Sequence, residues 1–85
     1  MIRTRVFETE SIDLASFLAA AGYEPTIVCS SGNTRAVFVF QETDNLHKAI
    51  ISYESGGELP AKRLLNRRSW LFRRASEVVR EGVRR

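Results

Sequence analysis

One cysteine, one histidine, two prolines and no internal repeat leave this 85-residue chain with few of the devices that usually betray a function. Cys29 has no second cysteine to meet. An internal disulfide and a cysteine-built zinc cluster are therefore excluded, and a reducing cytoplasm is the expected setting. His47 and Cys29 together fall short of the four ligands a structural zinc ion takes. No apolar run approaches the ~20 residues that cross a bilayer. Arg3 and Arg5 are not followed by the apolar stretch of a signal peptide. Neither a membrane span nor a cofactor is expected.

What the chain does have is 44% hydrophobic residues, enough for a folded domain rather than a disordered one. Residues 1–85 are read as a single domain with a core of modest size. Its charge is unevenly placed. Residues 60–85 hold nine basic side chains against Glu77 and Glu81, a balance of +7. Residues 1–59 hold four basic side chains against eight acids, a balance of −4. This asymmetry is the main pointer to a partner.

Residues 2–8 alternate as a short strand does. Ser11 suits a helix N-cap and Asp13 the first turn, and Leu14, Phe17, Leu18 and Ala21 recur at helical spacing. Gly22 suits the left-handed residue that closes such a helix. Thr26–Cys29 and Arg35–Phe40 are rich in β-branched and aromatic residues and flank a turn-forming Ser30–Thr34, so residues 26–40 read as a hairpin. Thr43 or Asp44 caps a second helix carrying Leu46, Ala49, Ile50 and Tyr53, which Gly56-Gly57 ends. Pro60 opens a third helix, expected to run to about Glu81, with Gly82 as a stop.

The order β-α-β-β-α-α predicts an α+β fold with a three-stranded antiparallel sheet and a long basic C-terminal helix. The third strand belongs in the middle, because Val37-Phe38-Val39-Phe40 is the most continuously apolar run and suits a strand covered on both faces. The first two helices are expected on one face. The other face calls for the third helix or a second subunit.

Plotted at roughly 100° per residue, residues 60–82 divide into two arcs. Leu64, Leu65, Leu71, Phe72, Ala75, Val78 and Val79 share an arc of about 140° that reads as a core stripe. Lys62, Arg63, Arg67, Arg73, Arg74 and Arg80 lie opposite, and Ser69 and Ser76 lie near one border. Trp70 falls among the basic residues and Arg68 among the apolar ones. A bend near Asn66-Arg67 would reset the phase, splitting the helix into 61–66 and 69–81. Otherwise Arg68 runs its stem along the apolar stripe with its head in water.

The basic arc is a candidate phosphate track, because arginine pairs bidentately with phosphate and each neutralised phosphate releases a counterion. Its candidate contacts are Arg63, Arg67, Arg73, Arg74 and Arg80, with Trp70 placed to stack on an unpaired base. A solvated polar face reads the same way in sequence, with Trp70 packed on the sheet. So does a face for an acidic protein, an anionic membrane surface or the acidic half of a second copy. The partners considered are thus nucleic acid, an acidic protein or a second copy.

Catalytic chemistry finds little support. A dyad would need His47 with Ser30, Ser52, Ser55 or Cys29 as nucleophile, and no Gly-x-Ser-x-Gly elbow is present. Asp44 precedes His47 by three residues on a helix, an ordinary surface pair. Gly56-Gly57 lacks the lysine of a phosphate loop. Cys29 reads as a small buried hydrophobe.

Phe7-Glu8-Thr9, Leu14-Ala15-Ser16-Phe17-Leu18 through Gly22-Tyr23, Val37–Phe40 and Tyr53-Glu54-Ser55-Gly56-Gly57 before a basic helix together resemble a family of small domains of unknown function from bacteria and their phages. The resemblance spans nearly the whole chain. It implies no activity, no catalytic residue and no cofactor. The reading is of a non-enzymatic nucleic-acid-binding or accessory module of bacterial or phage origin, the alternative being a protein-interaction module or homodimer.

Overall fold

A computed structural model describes residues 5–30 and 35–83. The start of the predicted first strand, the hairpin tip at 31–34, and Arg84 and Arg85 lie outside them. Six elements follow in the predicted order: β1 (Val6–Thr9), α1 (Ile12–Ala20), β2 (Thr26–Cys29), β3 (Ala36–Gln41), α2 (Asp44–Glu54) and α3 (Ala61–Val83). The fold is α+β.

The sheet order is β1-β3-β2, all antiparallel, with the apolar third strand in the middle as its composition predicts. Phe40 stands opposite Phe7, and Phe38 lies between Thr9 and Ile27. Opposed residues of an antiparallel pair point to the same side. One face therefore carries Phe7, Ile27, Cys29, Phe38 and Phe40, and the other Val6, Glu8, Thr26, Val28, Val37 and Val39.

Local chemistry sets the helix ends. Ser11 Oγ accepts the Leu14 N–H and Thr43 Oγ1 accepts the Leu46 N–H, so both predicted caps hold, with Thr43 rather than Asp44 at the second. At the far end of α1 the Tyr23 N–H returns to the Leu18 carbonyl and the Gly22 N–H to that of Ala19, with Gly22 at φ 108°. This Schellman closure requires the left-handed backbone that glycine tolerates. The same closure ends α2, where the Gly57 N–H meets the Ser52 carbonyl at 2.7 Å. A Cβ on Gly57 would fall 2.7 Å from that carbonyl oxygen, which excludes any side chain there. Pro60 lies one residue before α3 rather than inside it, its carbonyl accepting the Leu64 N–H.

The core departs from expectation in three ways. First, α1 is not amphipathic: Ala15 through Ala20 are all buried. Ala21, counted with the apolar stripe, is instead the exposed cap residue. Second, all three helices cover the same sheet face. Leu71 of α3 joins Phe17, Leu18, Phe38, Phe40 and Leu46 in one cluster. The Cys29 thiol, on that same face, donates to the Val78 carbonyl at 3.2 Å, so this cysteine ties β2 to α3 rather than sitting buried. The valine face is left uncovered, with Val6 50% and Val28 41% exposed. The shortest extent of the molecule, 17 Å, matches a sheet and one helical layer. Third, α3 continues through Gly82, the expected stop; of the two readings for its course it takes the unbroken one, a single helix of 23 residues with no break near Asn66-Arg67.

Leu71 is 0% exposed while its neighbour Phe72 is 61% exposed. Leu71→Ala is expected to cost about 2–5 kcal/mol through lost transfer energy and a residual cavity. Phe72→Ala should cost well under half as much. Urea denaturation of the two variants checks the contrast, and equal losses would contradict the burial assignment.

Candidate functional site

An unbroken α3 must place both residues that broke the predicted partition on its flanks. Arg68 keeps its stem beside the core stripe and extends its head to Asp13, Nε to Oδ1 at 3.0 Å, near the start of α1. It therefore reaches outward along apolar surface to a charged partner, and no bend is needed. Trp70 lies on the opposite flank. It is half-buried, packs against the core, and has the Arg67 guanidinium 5.8 Å from its ring centroid. Its indole thus faces the protein's own side chains.

Several of the candidate arginines are engaged within the domain. Arg67 donates to Glu24 Oε1 at 3.1 Å and Arg74 to Glu77 Oε2 at 3.1 Å. Arg63 reaches the Ala20 carbonyl at 3.4 Å. That carbonyl lies at the C-terminus of α1, which has no basic residue in its own last turn. The guanidinium supplies the positive charge that the negative end of a helix dipole favours. These contacts lie along the flank that also bears Trp70.

Lys62, Arg73 and Arg80 are different. They fall on the outward ridge of α3, are exposed, and make no ion pair among the described residues. From Lys62 to Arg80 the ridge spans about 27 Å at 1.5 Å per residue. Beside it stand Leu65 and Phe72, each 61% exposed. Both were expected in the core. The available signal was the width of the apolar arc: its far end, at Leu65 and Phe72, lies beyond what one packing surface covers and borders Ser69 and Ser76. Phe72 separates two shallow hollows. One, of about 390 Å³, is lined by Arg35, Ala36, Ala75, Ser76, Val79 and Arg80 together with Phe72. The other, of about 370 Å³, is lined by Arg68, Ser69, Phe72 and Arg73.

Residues 4–68 match a family of domains of unknown function, DUF5659. The chain belongs to this family. Neither a curated protein nor a solved structure matches it. The DUF5659 match takes in the sheet, α1, α2 and α3 as far as Arg68. Leu71 and the outward Phe72, Arg73 and Arg80 lie past its end.

His47 Nε2 meets Glu42 Oε1 at 2.7 Å, not Asp44, and no hydroxyl or thiol bonds the imidazole among the described residues. Among the described residues no three of His, Cys, Asp and Glu gather as metal ligands do. No described helix is long and apolar enough to cross a membrane.

The Arg68–Asp13 pair has side chains 48% and 66% exposed, so water screens it strongly. Arg68→Met is expected to change stability by less than about 1 kcal/mol, with the difference shrinking further in added salt. Paired urea titrations at low and high ionic strength measure this.

Proposed function

We propose that this DUF5659 domain is a non-enzymatic module that binds nucleic acid through backbone phosphates laid along the outward face of α3. One observation carries the reading. The arginines on the Trp70 flank are occupied by Glu24, Glu77 and the end of α1, whereas Lys62, Arg73 and Arg80 line the outer ridge and make no ion pair among the described residues. Unpaired cations held on a rigid helix need no rearrangement to meet a row of phosphates, and each one neutralised releases a counterion. Arg63, Arg67 and Arg74 act here as secondary contacts that would have to trade an internal partner for a phosphate. A bacterial or phage origin and a cytoplasmic setting belong to the same reading.

With three ridge cations engaged on duplex DNA, log K should fall against log salt with a slope of about −2.7. Arg73→Glu with Arg80→Glu should remove most binding while leaving the fold intact, since both side chains are exposed. Fluorescence anisotropy over a salt series reads both effects. Affinity that ignores salt, or that survives the double charge reversal, would refute the proposal.

The bare valine face supports a second reading, a homodimer packed sheet to sheet. Val37 and Val39 of the middle strand would lie at its centre, flanked by the exposed Val6 and Val28 of the edge strands, with Glu8 and Thr26 part of its rim. Antiparallel sheets do leave one face to water, so exposure by itself does not require a partner. Val28→Lys discriminates. In sedimentation velocity the unmodified domain should run as a dimer and the variant as a monomer if the face is an interface. A monomer in both cases counts against it.

A further inference from the structure

The aromatic ring that α3 offers to solvent is Phe72, not Trp70, and this narrows the class of ligand. The inference rests on the nucleic-acid reading above. Phe72 is 61% exposed, and the hollows on its two sides place arginines around it: Arg68 and Arg73 on one, Arg35 and Arg80 on the other. Arg68 and Arg35 also meet Asp13 and Glu10, while Arg73 and Arg80 meet no acid among the described residues.

This surface has three conceivable occupants. A second copy of α3 would bring Lys62, Arg73 and Arg80 against their own equivalents, and like charges facing across a dry contact oppose association. An acidic amphipathic helix would seek a continuous apolar seam at seven-residue spacing. The line Leu65, Phe72, Val79 has that spacing, but Val79 is half-buried, so the exposed seam is two residues long. An unpaired nucleotide needs less: one aromatic face, cations within a phosphate's reach on either side, and open space for a base. Those are the features present.

We propose that Phe72 is a stacking platform for an unpaired base and that the α3 face takes single-stranded nucleic acid in preference to duplex. The physical reason is access. In a duplex the faces of each base are occupied by its neighbours, so Phe72 can add nothing there and only the phosphate contacts remain. In a single strand a base can lie on the ring while its flanking phosphates meet Arg73 and Arg80. Stacking is tolerant of sequence because every base has a π-face.

The test is anisotropy with a labelled mixed-sequence single strand, as DNA and as RNA, against a duplex of the same sequence. The unmodified domain should favour at least one of the single strands, and the comparison of the two identifies the sugar. Phe72→Ala should weaken single-strand binding by about 5- to 100-fold. It should leave duplex affinity within about twofold and the salt slope unchanged, because it removes no charge. Phe72→Trp should restore or tighten single-strand binding, and circular dichroism should show both variants folded.

Phe72→Ala without effect on any strand, or with equal effect on single strand and duplex, overturns the stacking role. If Arg73→Glu with Arg80→Glu still abolishes binding in that case, the phosphate reading stands and this inference alone fails. No binding of any strand at low salt overturns both. An acidic amphipathic peptide that binds in a Phe72-dependent way where no oligonucleotide does would also overturn it, as would a dimer that Phe72→Ala dissolves.

Discussion

The structure depends on α1 being buried on every side from Ala15 to Ala20. Six consecutive residues, Ala15 to Ala20, are inaccessible, and four of them are alanine or serine. Small side chains let neighbouring backbones approach closely, so a nine-residue helix can touch the sheet, α2 and α3 at once. Phe17 and Leu18 supply the bulk, Phe17 meeting Tyr53 edge-on with ring centroids 5.3 Å apart and Leu18 filling the cluster with Phe38 and Phe40. Ser16, the one buried polar side chain among the described residues, donates its hydroxyl to the Ile12 carbonyl and so brings no unmet group into the core. Because α1 occupies the middle of a single helical layer, α2 and α3 must flank it, and the valine face of the sheet is left without cover.

That arrangement changes what the charge asymmetry means. The acidic first part of the chain and the basic last helix are complementary partly within one molecule. Asp13 and Glu24 lie near the two ends of α1, where they meet Arg68 and Arg67, and the α1 C-terminus itself meets Arg63. Exposed pairs of this kind contribute little energy each, but they direct which cations remain available. The helix that looks uniformly basic in sequence therefore has an internally satisfied flank and a ridge that makes no ion pair among the described residues. Only the ridge carries an argument about an external anion. Its two arginines, Arg73 and Arg80, lie past the stretch matched by the DUF5659 family, as does Leu71, which completes the core.

Element order, both N-caps and the helix stops at Gly22 and Gly56-Gly57 follow from local chemistry and are legible along the chain, as is the central place of the apolar third strand; Gly82, inside α3, does not stop its helix. A Ser or Thr three residues before its N–H partner, a glycine where the backbone turns left-handed, and an apolar central strand are short-range statements. What a helix does with a wide apolar arc is not. On α3, Leu64 and Leu71 face the core while Leu65 and Phe72, one residue further on, face water, because α1 and the sheet cover only the end of the arc that holds Leu64 and Leu71. A helical wheel weighs all of these alike, since it holds periodicity without the position of neighbours. Trp70 and Arg68 were conspicuous in sequence because they violated the wheel, and both are resolved by side-chain reach rather than by a bend.

The amino-acid sequence alone determined an α+β domain with a basic, amphipathic C-terminal helix. Tertiary structure decided which sheet face is covered, which arginines are consumed by acids of the same chain, and which aromatic ring meets solvent. The division has one cause. Secondary structure and capping arise from residues a few positions apart, whereas burial and ion pairing join residues such as Arg68 and Asp13, 55 positions apart, whose meeting depends on how the small face of α1 lets α3 approach.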